Sequence, residues 1–197
     1  MIIGLVGEIA SGKSTVAEIL KKNGYSVINV DEIGHVIQKK GSPAYKKIVE
    51  FFGEDVLNDD LTVNRKKLGQ IVFNDNNKLI RLNEITHKYI FDEVKSIIEQ
   101  HKNEGLDKII VDAALLFEIG LSKLVDKVWL IEGNTDDKIK RIIKRDNFTY
   151  EQAMQRLNSQ HKNENVFFHK IQTDKVILND GSIEELKEKV LEIINKL

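Results

Sequence analysis

Cysteine is entirely missing from this chain of 197 residues. Its absence excludes disulfides, thiolate metal ligands and cysteine nucleophiles, and it fits a reducing compartment. Long apolar stretches are missing as well, because the longest uninterrupted run, residues 113–117, is far too short to cross a bilayer. No charged segment precedes the first apolar run, so a cleaved signal is not expected. The sequence therefore predicts a soluble cytoplasmic protein.

Excess charge of either sign is also missing, since the formal net charge is −1. A chain with this balance is not expected to bind nucleic acid or a membrane surface through charge alone. Arginine is scarce beside lysine, yet Arg141, Arg145 and Arg156 fall close together. In such a chain an arginine is a candidate for bidentate binding of phosphate or carboxylate. A surface ion pair is the alternative for each of them.

The strongest motif occupies residues 7–15, Gly-Glu-Ile-Ala-Ser-Gly-Lys-Ser-Thr, directly after an apolar strand-like run and before a helical pattern. It fits G-x-x-x-x-G-K-[ST], the phosphate-binding loop, whose backbone N–H groups and following helix N-terminus bind phosphate oxygens. Lys13 is expected to reach the β- and γ-phosphates, and the Ser14 hydroxyl is expected to bind Mg²⁺. The sequence therefore predicts a bound nucleoside triphosphate.

Two acidic residues come directly after predicted strands. Asp31 follows the second strand, Tyr25 to Val30, and Asp112 ends the third strand, which begins at Ile109. Parallel sheets bind ligands at the carboxyl ends of their strands, so Asp31 is a candidate catalytic acid and Asp112 a candidate Mg²⁺ ligand through water. The alternatives are that Asp31 caps the next helix and that Asp112 belongs to a turn or cap.

Helical patterns fill the long interval between these strands, and no strand-like run appears in it. Ser42 and Pro43 indicate a helix start, residues 65–73 and 78–85 are read as two shorter helical segments, and a longer amphipathic stretch ends at Gly105. The interval is too long for one crossover, so we expect an all-helical insertion over residues 41–105 that holds the acceptor.

The arginines lie on two polar helices. Arg141 and Arg145 are one turn apart, and Thr149 with Gln152 forms a capping box that opens the helix carrying Arg156. Such helices resemble a mobile lid over residues 141–165 that brings arginine to a transferring phosphoryl group. Two solvated helices are the alternative. The segment 163–173 receives no assignment.

The fold class expected is α/β, a three-layer fold of the P-loop NTPase type with a five-stranded parallel sheet. The fourth and fifth strands are predicted over Lys127–Ile131 and Val176–Leu178, followed by a turn at Asn179 and a last helix opened by a capping box of Ser182 and Glu185. We expect one domain over 1–197, with its core in residues 1–40, 106–140 and 174–197.

Several motifs now occur in order along nearly the whole chain, and together they are far more specific than the phosphate loop alone. They are the loop itself (7–15), Val-Ile-Asn-Val-Asp (27–31), Asn-Arg-x-x-Leu-x-x-x-Val-Phe (64–73), Leu-Asn-x-x-x-His (82–87), Asp-x-x-Leu-Leu-Phe-Glu (112–118) and Asp-x-Val-Ile-x-Asn (174–179). In this set the chain resembles the dephospho-CoA kinases. The resemblance implies transfer of the ATP γ-phosphoryl group to the ribose 3′-hydroxyl of dephospho-CoA, the last step of CoA synthesis, with Mg²⁺.

The resemblance also implies roles for single residues. Asp31 matches the catalytic acid that accepts or orients the 3′-hydroxyl proton, and Lys13 joins it in the catalytic set. The residues implied in ATP binding are Ala10, Ser11, Gly12, Lys13, Ser14, Thr15, Arg156 and Asn179, the last beside the adenine. The residues implied in acceptor binding are Asp31, Arg65, His87, Leu115 and Glu118. Arg141 and Arg145 match catalytic positions of the lid.

The chain departs from the family pattern at a few positions. Asn29 stands where an acid is usual, Lys88 where proline is usual, and Ala114 where proline is usual. Glu8 and Ala10 stand where the loop commonly has glycine; either is compatible with binding if its φ is negative, and Glu8 has to point away from the phosphates.

Three other functions fit part of the pattern. A kinase for a nucleoside or nucleoside monophosphate would share the loop and the lid. A GTP-dependent switch protein would need a guanine-reading Asn-Lys-x-Asp, which the late Asn179-Asp180 does not provide. A non-catalytic nucleotide-binding protein would not need Lys13, Ser14 and Asp31 together. The sequence leaves the oligomeric state undetermined.

Overall fold

A five-stranded parallel sheet forms the centre of the computed structural model, which describes residues 1–163 and 172–197 and, for 160–163, the backbone alone. The strand order is β2-β3-β1-β4-β5, which places β1 in the middle. The five strands are β1 (Ile2–Gly7), β2 (Ser26–Asn29), β3 (Ile109–Asp112), β4 (Lys127–Gly133) and β5 (Lys175–Asn179). This arrangement confirms the fold class predicted from the sequence.

Eight α-helices lie in the described part of the chain. They are α1 (Lys13–Lys22), α2 (Val30–Val36), α3 (Pro43–Phe52), α4 (Arg65–Phe73), α5 (Asn76–Asn103), α6 (Thr135–Asp146), α7 (Tyr150–Asn163) and α8 (Ile183–Ile194), with short 3₁₀ turns at Glu54–Val56 and Leu121–Leu124. Several begin at the predicted caps: Ser42 accepts from the Tyr45 N–H, and Ser182 and Glu185 form the expected capping box. In the described helices we find none that has both the length and the apolar character to cross a membrane.

The structure separates into two compact units, residues 1–28 with 101–197, and residues 29–100. In the first unit, β1, β3, β4 and β5 pack their fully buried faces against α1 and α8. The near-continuous apolar character of β1, β3 and β4 follows from burial on both faces of a parallel sheet, whereas the edge strand β5 exposes Val176 and Leu178. In the second unit a separate cluster forms around Ile48, Val56 and Leu68, contributed by α3, the following 3₁₀ turn and α4.

Several element boundaries differ from the sequence predictions. The second strand does not begin at Tyr25, because the Tyr25 N–H donates to the Leu20 carbonyl (3.2 Å) and so helps to close the end of α1. It ends at Asn29 rather than Val30, because Asn29 already caps α2. The predicted separate segment 78–85 is wrong: it is part of α5, which continues because no glycine or proline interrupts it.

The last strand is longer than predicted. Asn179, assigned to a turn from the sequence, is the final residue of β5 and pairs with Gly133, the final residue of β4. Most of the unassigned segment 163–173, and residues 164–165 of the predicted lid, lie outside the described residues.

Candidate active site

The phosphate loop connects β1 to α1 at the carboxyl edge of the sheet. Gly12 takes a left-handed conformation (φ 104°) at the N-cap position, and Lys13, Ser14 and Thr15 form the first turn of α1. In the described residues no side chain caps this helix, and its first turn contains no acid. The N-terminal N–H groups and the positive end of the helix dipole are therefore available to an anion, as phosphate binding requires.

Lys13 and Asp112 form an ion pair at this edge. The Lys13 ammonium donates to Asp112 Oδ1, and the two side chains are only 14% and 10% exposed. Asp112 lies at the end of β3, which neighbours β1. Its side chain therefore contacts the lysine of the phosphate loop. Asp112 is the last residue of a strand and not a simple turn residue, which was the alternative.

Two side chains from distant parts of the chain hold the carbonyls of the loop. Asn179 Nδ2 donates to the Ser11 carbonyl (2.8 Å), and Arg141 Nη1 donates to the Ala10 carbonyl (3.0 Å). Because a trans peptide places C=O and the next N–H on opposite sides, the Asn179 bond directs the Gly12 N–H away from Asn179. The loop conformation is thus fixed from the end of β5 and from α6.

The loop also packs on α6 and α7. Ile9 and Ala10 lie against a small apolar cluster built around Ile139, Ile142 and Leu157. Ala10 has φ 59°, so the condition of a negative φ set from the sequence is not met at this residue. A non-glycine residue in this region costs about 1–2 kcal/mol, which the packing of Ala10 on the cluster and the hydrogen bond to its carbonyl help to offset.

Glu8 forms an ion pair with Lys138 of α6. The Lys138 ammonium donates to Glu8 Oε2, and the side chains are 7% and 15% exposed respectively. The sequence marked Glu8 only as a departure from glycine and did not single out Lys138, because nothing in the helical pattern distinguishes a buried lysine from a surface one.

The other two arginines of the predicted lid have different surroundings. Arg145 forms a bidentate pair with its neighbour Asp146 (2.8 Å for both bonds), and this hydrogen bonding holds the pKa of the Asp146 carboxyl below its ordinary value. Arg156 is exposed on α7. Of the three arginines, Arg141 is the one that the structure places on the loop.

Asp31 belongs to the second unit, where it follows β2 in the chain. The N-cap of α2 is Asn29, whose side-chain oxygen accepts from the Asp31 N–H (3.0 Å) and the Glu32 N–H (3.3 Å). The alternative that Asp31 itself caps the helix is therefore wrong. Asp31 occupies the second helical position with an exposed side chain, and Asn29, read from the sequence as a missing acid, fixes the backbone beneath it.

The predicted acceptor residues are distributed over both units. In the second unit, Arg65 at the start of α4 is exposed and its Nη2 lies 3.5 Å from the His35 carbonyl of α2, while His87 is half-buried on α5. In the first unit, Leu115 and Glu118 follow β3 and are both exposed, although Leu116 between them is fully buried.

The donors expected for a divalent metal are hard oxygens. Ser14 is exposed on the first turn of α1, and Asp112 supplies a carboxylate at the neighbouring strand end. Among the residues whose side chains are described, 1–159 and 172–197, there is no group of three or more His, Cys, Asp or Glu that could hold a metal alone. One hydroxyl and one carboxylate fit an ion such as Mg²⁺, which keeps several waters and is completed by substrate phosphates.

The family model for dephospho-CoA kinase matches residues 1–185. The chain belongs to the dephospho-CoA kinase family. Relatives named dephospho-CoA kinase agree with this assignment. One from Carboxydothermus hydrogenoformans is 40% identical over 99% of this chain and 93% of its own length, and one from Bacillus cereus is 39% identical over 100% and 96%.

Solved structures share this fold, and one of them is named a dephospho-CoA kinase. A dephospho-CoA kinase from Campylobacter jejuni has a TM-score of 0.71 and 28% identity, covering 99% of this chain and 96% of that one. A shikimate kinase from Acinetobacter baumannii, crystallised with shikimate, has a TM-score of 0.57 at 17% identity and shows likeness of fold alone, covering 99% and 93%. The family implies an ATP-dependent kinase that uses a divalent metal.

Proposed function

We propose that this protein transfers the γ-phosphoryl group of ATP to the ribose 3′-hydroxyl of dephospho-CoA, giving CoA and ADP in the cytoplasm. The observation that carries the proposal is the phosphate loop, with its uncapped helix N-terminus and its carbonyls held by Asn179 and Arg141, in a chain of the dephospho-CoA kinase family. Phosphoryl transfer needs little covalent chemistry from a protein, so positioning and neutralisation of charge account for most of the rate.

The loop binds the ATP phosphates in this proposal. The backbone of residues 10–15 cradles them, and Lys13 leaves Asp112 to contact the β- and γ-phosphates. Arg141 and Arg145 neutralise the transferring group, and Arg156 and Asn179 complete the ATP site. Arg145 has to exchange Asp146 for phosphate oxygens to take up that role, whereas Arg141 holds the loop carbonyls through Nη1 and has its other N–H groups to offer to phosphate.

Asp31 is the proposed catalytic acid. Its exposed carboxylate, on a backbone fixed by Asn29, orients the acceptor hydroxyl and accepts its proton, which contributes about 10²–10⁴-fold to the rate. Arg65, His87, Leu115 and Glu118 bind the acceptor in this proposal.

Mg²⁺ is the proposed metal. Ser14 would hold it directly and Asp112 through water, as their hard oxygen donors favour. When bound, the ion supplies Lewis-acid neutralisation of the phosphate oxygens. Asp112 is then released from Lys13, so the same carboxylate serves the lysine in the free protein and the metal in the complex.

The test is a steady-state assay that couples ADP release to a spectrophotometric signal, with ATP, Mg²⁺ and dephospho-CoA, run beside a panel of nucleosides and nucleoside monophosphates. We expect turnover with dephospho-CoA and a product that chromatographs as CoA. Preferred turnover of a nucleotide would replace the proposal with the alternative acceptor class.

The matched variant for this assay is Asp31→Asn, which keeps the shape of the side chain and removes its charge. We expect turnover to fall about 10²–10⁴-fold while the Kd for ATP by calorimetry is unchanged, because the carboxylate acts on the acceptor hydroxyl. Near-normal turnover would remove Asp31 from the mechanism.

A further inference from the structure

The phosphate loop of this chain contains a carboxylate, Glu8, at a position between β1 and the glycine of the N-cap. Its side chain is 15% exposed and accepts from the Lys138 ammonium, which is 7% exposed. A loop that binds a polyanion is a costly place for a buried negative charge, because charges interact more strongly there than in water. Glu8 therefore has to be neutralised if the loop is to bind phosphate.

Lys138 lies on the face of α6 that already holds the loop. Arg141 is three residues further along the same helix, so the two cations project from one face. Arg141 contacts the Ala10 carbonyl, and the apolar residues of α6 pack on Ile9 and Ala10. The helix thus contacts three successive residues of the loop through an ion pair, a hydrogen bond and apolar packing.

We propose that Lys138 is a positioning residue for ATP binding, which neutralises Glu8 and with it keeps the loop in its phosphate-binding conformation. The inference rests on the proposed binding of ATP at the loop. Glu8 and Lys138 act as one unit: the lysine is needed because the loop contains glutamate where glycine would need no partner. Lys138 acts through Glu8 and makes no contact with ATP.

The experiment compares ATP binding by calorimetry and steady-state kinetics for wild type, Lys138→Met, Glu8→Gly and the double variant. Lys138→Met removes the buried ammonium that donates to the Glu8 carboxylate, and we expect the Kd and KM for ATP to rise about tenfold or more. The KM for dephospho-CoA should stay unchanged. The double variant, which lacks both members of the ion pair, should bind ATP with a Kd within about threefold of wild type.

Lys140→Met is the control variant. Lys140 lies on the same helix, but its side chain is 77% exposed against 7% for Lys138. We expect it to bind ATP as wild type does. An equal loss in Lys140→Met would show that general charge on α6, rather than the pair with Glu8, supports ATP binding, and would overturn the inference.

The double variant also decides the outcome if Lys138→Met alone does not fold. ATP binding restored in the double variant supports the pair as a unit. A double variant that has lost ATP binding as strongly as Lys138→Met would show that Lys138 contacts ATP itself, which overturns the inference. Wild-type protein that does not bind ATP would overturn the proposed ATP site as well, whereas ATP binding without turnover of dephospho-CoA would contradict only the proposed acceptor.

Discussion

Replacement of Gly12 by alanine tests whether Asn179, at the end of β5, holds the phosphate loop in its conformation. Gly12 has φ 104°, where a Cβ is strained, and a Cβ there would lie 2.2 Å from Asn179 Nδ2. The strain costs about 1–2 kcal/mol. Displacing Asn179 breaks its buried bond to the Ser11 carbonyl, which adds about 1–3 kcal/mol. Together the free energy of unfolding should fall by about 2–5 kcal/mol.

Gly24→Ala is the matched control for this substitution. Gly24 also has a positive φ, 86°, but a Cβ there would meet nothing within 4 Å. We expect it to cost only the strain of about 1–2 kcal/mol and to leave ATP binding intact. Urea unfolding followed by circular dichroism gives the stabilities, and calorimetry gives the ATP affinities. Equal losses of stability in the two variants, together with normal ATP binding by Gly12→Ala, would refute the role assigned to the Asn179 bond.

Three further substitutions concern the same edge of the sheet. Lys13→Ala should raise the Kd for ATP by about tenfold or more, measured by calorimetry, because a phosphate-binding cation is lost; unchanged binding would contradict the loop assignment. Asp112→Asn should lower the free energy of unfolding of the ATP-free protein by about 1–3 kcal/mol, because Lys13 loses its partner. The loss should be smaller than for a fully buried pair, because both side chains keep some exposure. In EDTA, ATP should raise the melting temperature of Asp112→Asn more than that of wild type, because Lys13 no longer has to leave Asp112 to bind phosphate. An equal or smaller increase would show that ATP does not bind Lys13. Ser11→Ala should be neutral or stabilising by up to about 1 kcal/mol, because Ser11 Oγ is buried and has no hydrogen-bond partner in the described residues; a lower urea midpoint would indicate a partner for that hydroxyl.

Local signals were sufficient where a short stretch of chain decides the structure. The phosphate loop, the strand Ile109–Asp112, the cap at Ser42 and the capping box at Ser182 could all be read from neighbouring residues. In the caps the hydrogen-bond partners lie within a few positions of one another, in the loop the spacing of glycine and lysine is itself the signal, and the burial of the strand leaves a continuous apolar run.

Features that depend on distant partners could not be predicted. Asn179 has the composition of a turn, and only pairing with β4 extends the strand to include it. Lys138 resembles any lysine of a charged helix until the fold brings Glu8 beside it. The sequence offered Asp31 only as an alternative cap of α2, and the choice between it and Asn29, which is also a good N-cap, depends on where β2 ends.

The central position of β1 has a consequence for how the protein is made. Its two neighbours in the sheet are β3, which pairs Ile2 with Ile109, and β4, which pairs Ile3 with Lys127. During synthesis β1 therefore emerges from the ribosome long before either of its partner strands has been made. Asn179, which donates to the Ser11 carbonyl of the phosphate loop, is made later still. The bond from Asn179 that holds the loop can form only once β5 exists, and contacts between distant residues form slowly. We therefore expect the nascent chain to acquire affinity for nucleotide only after β5 has been translated.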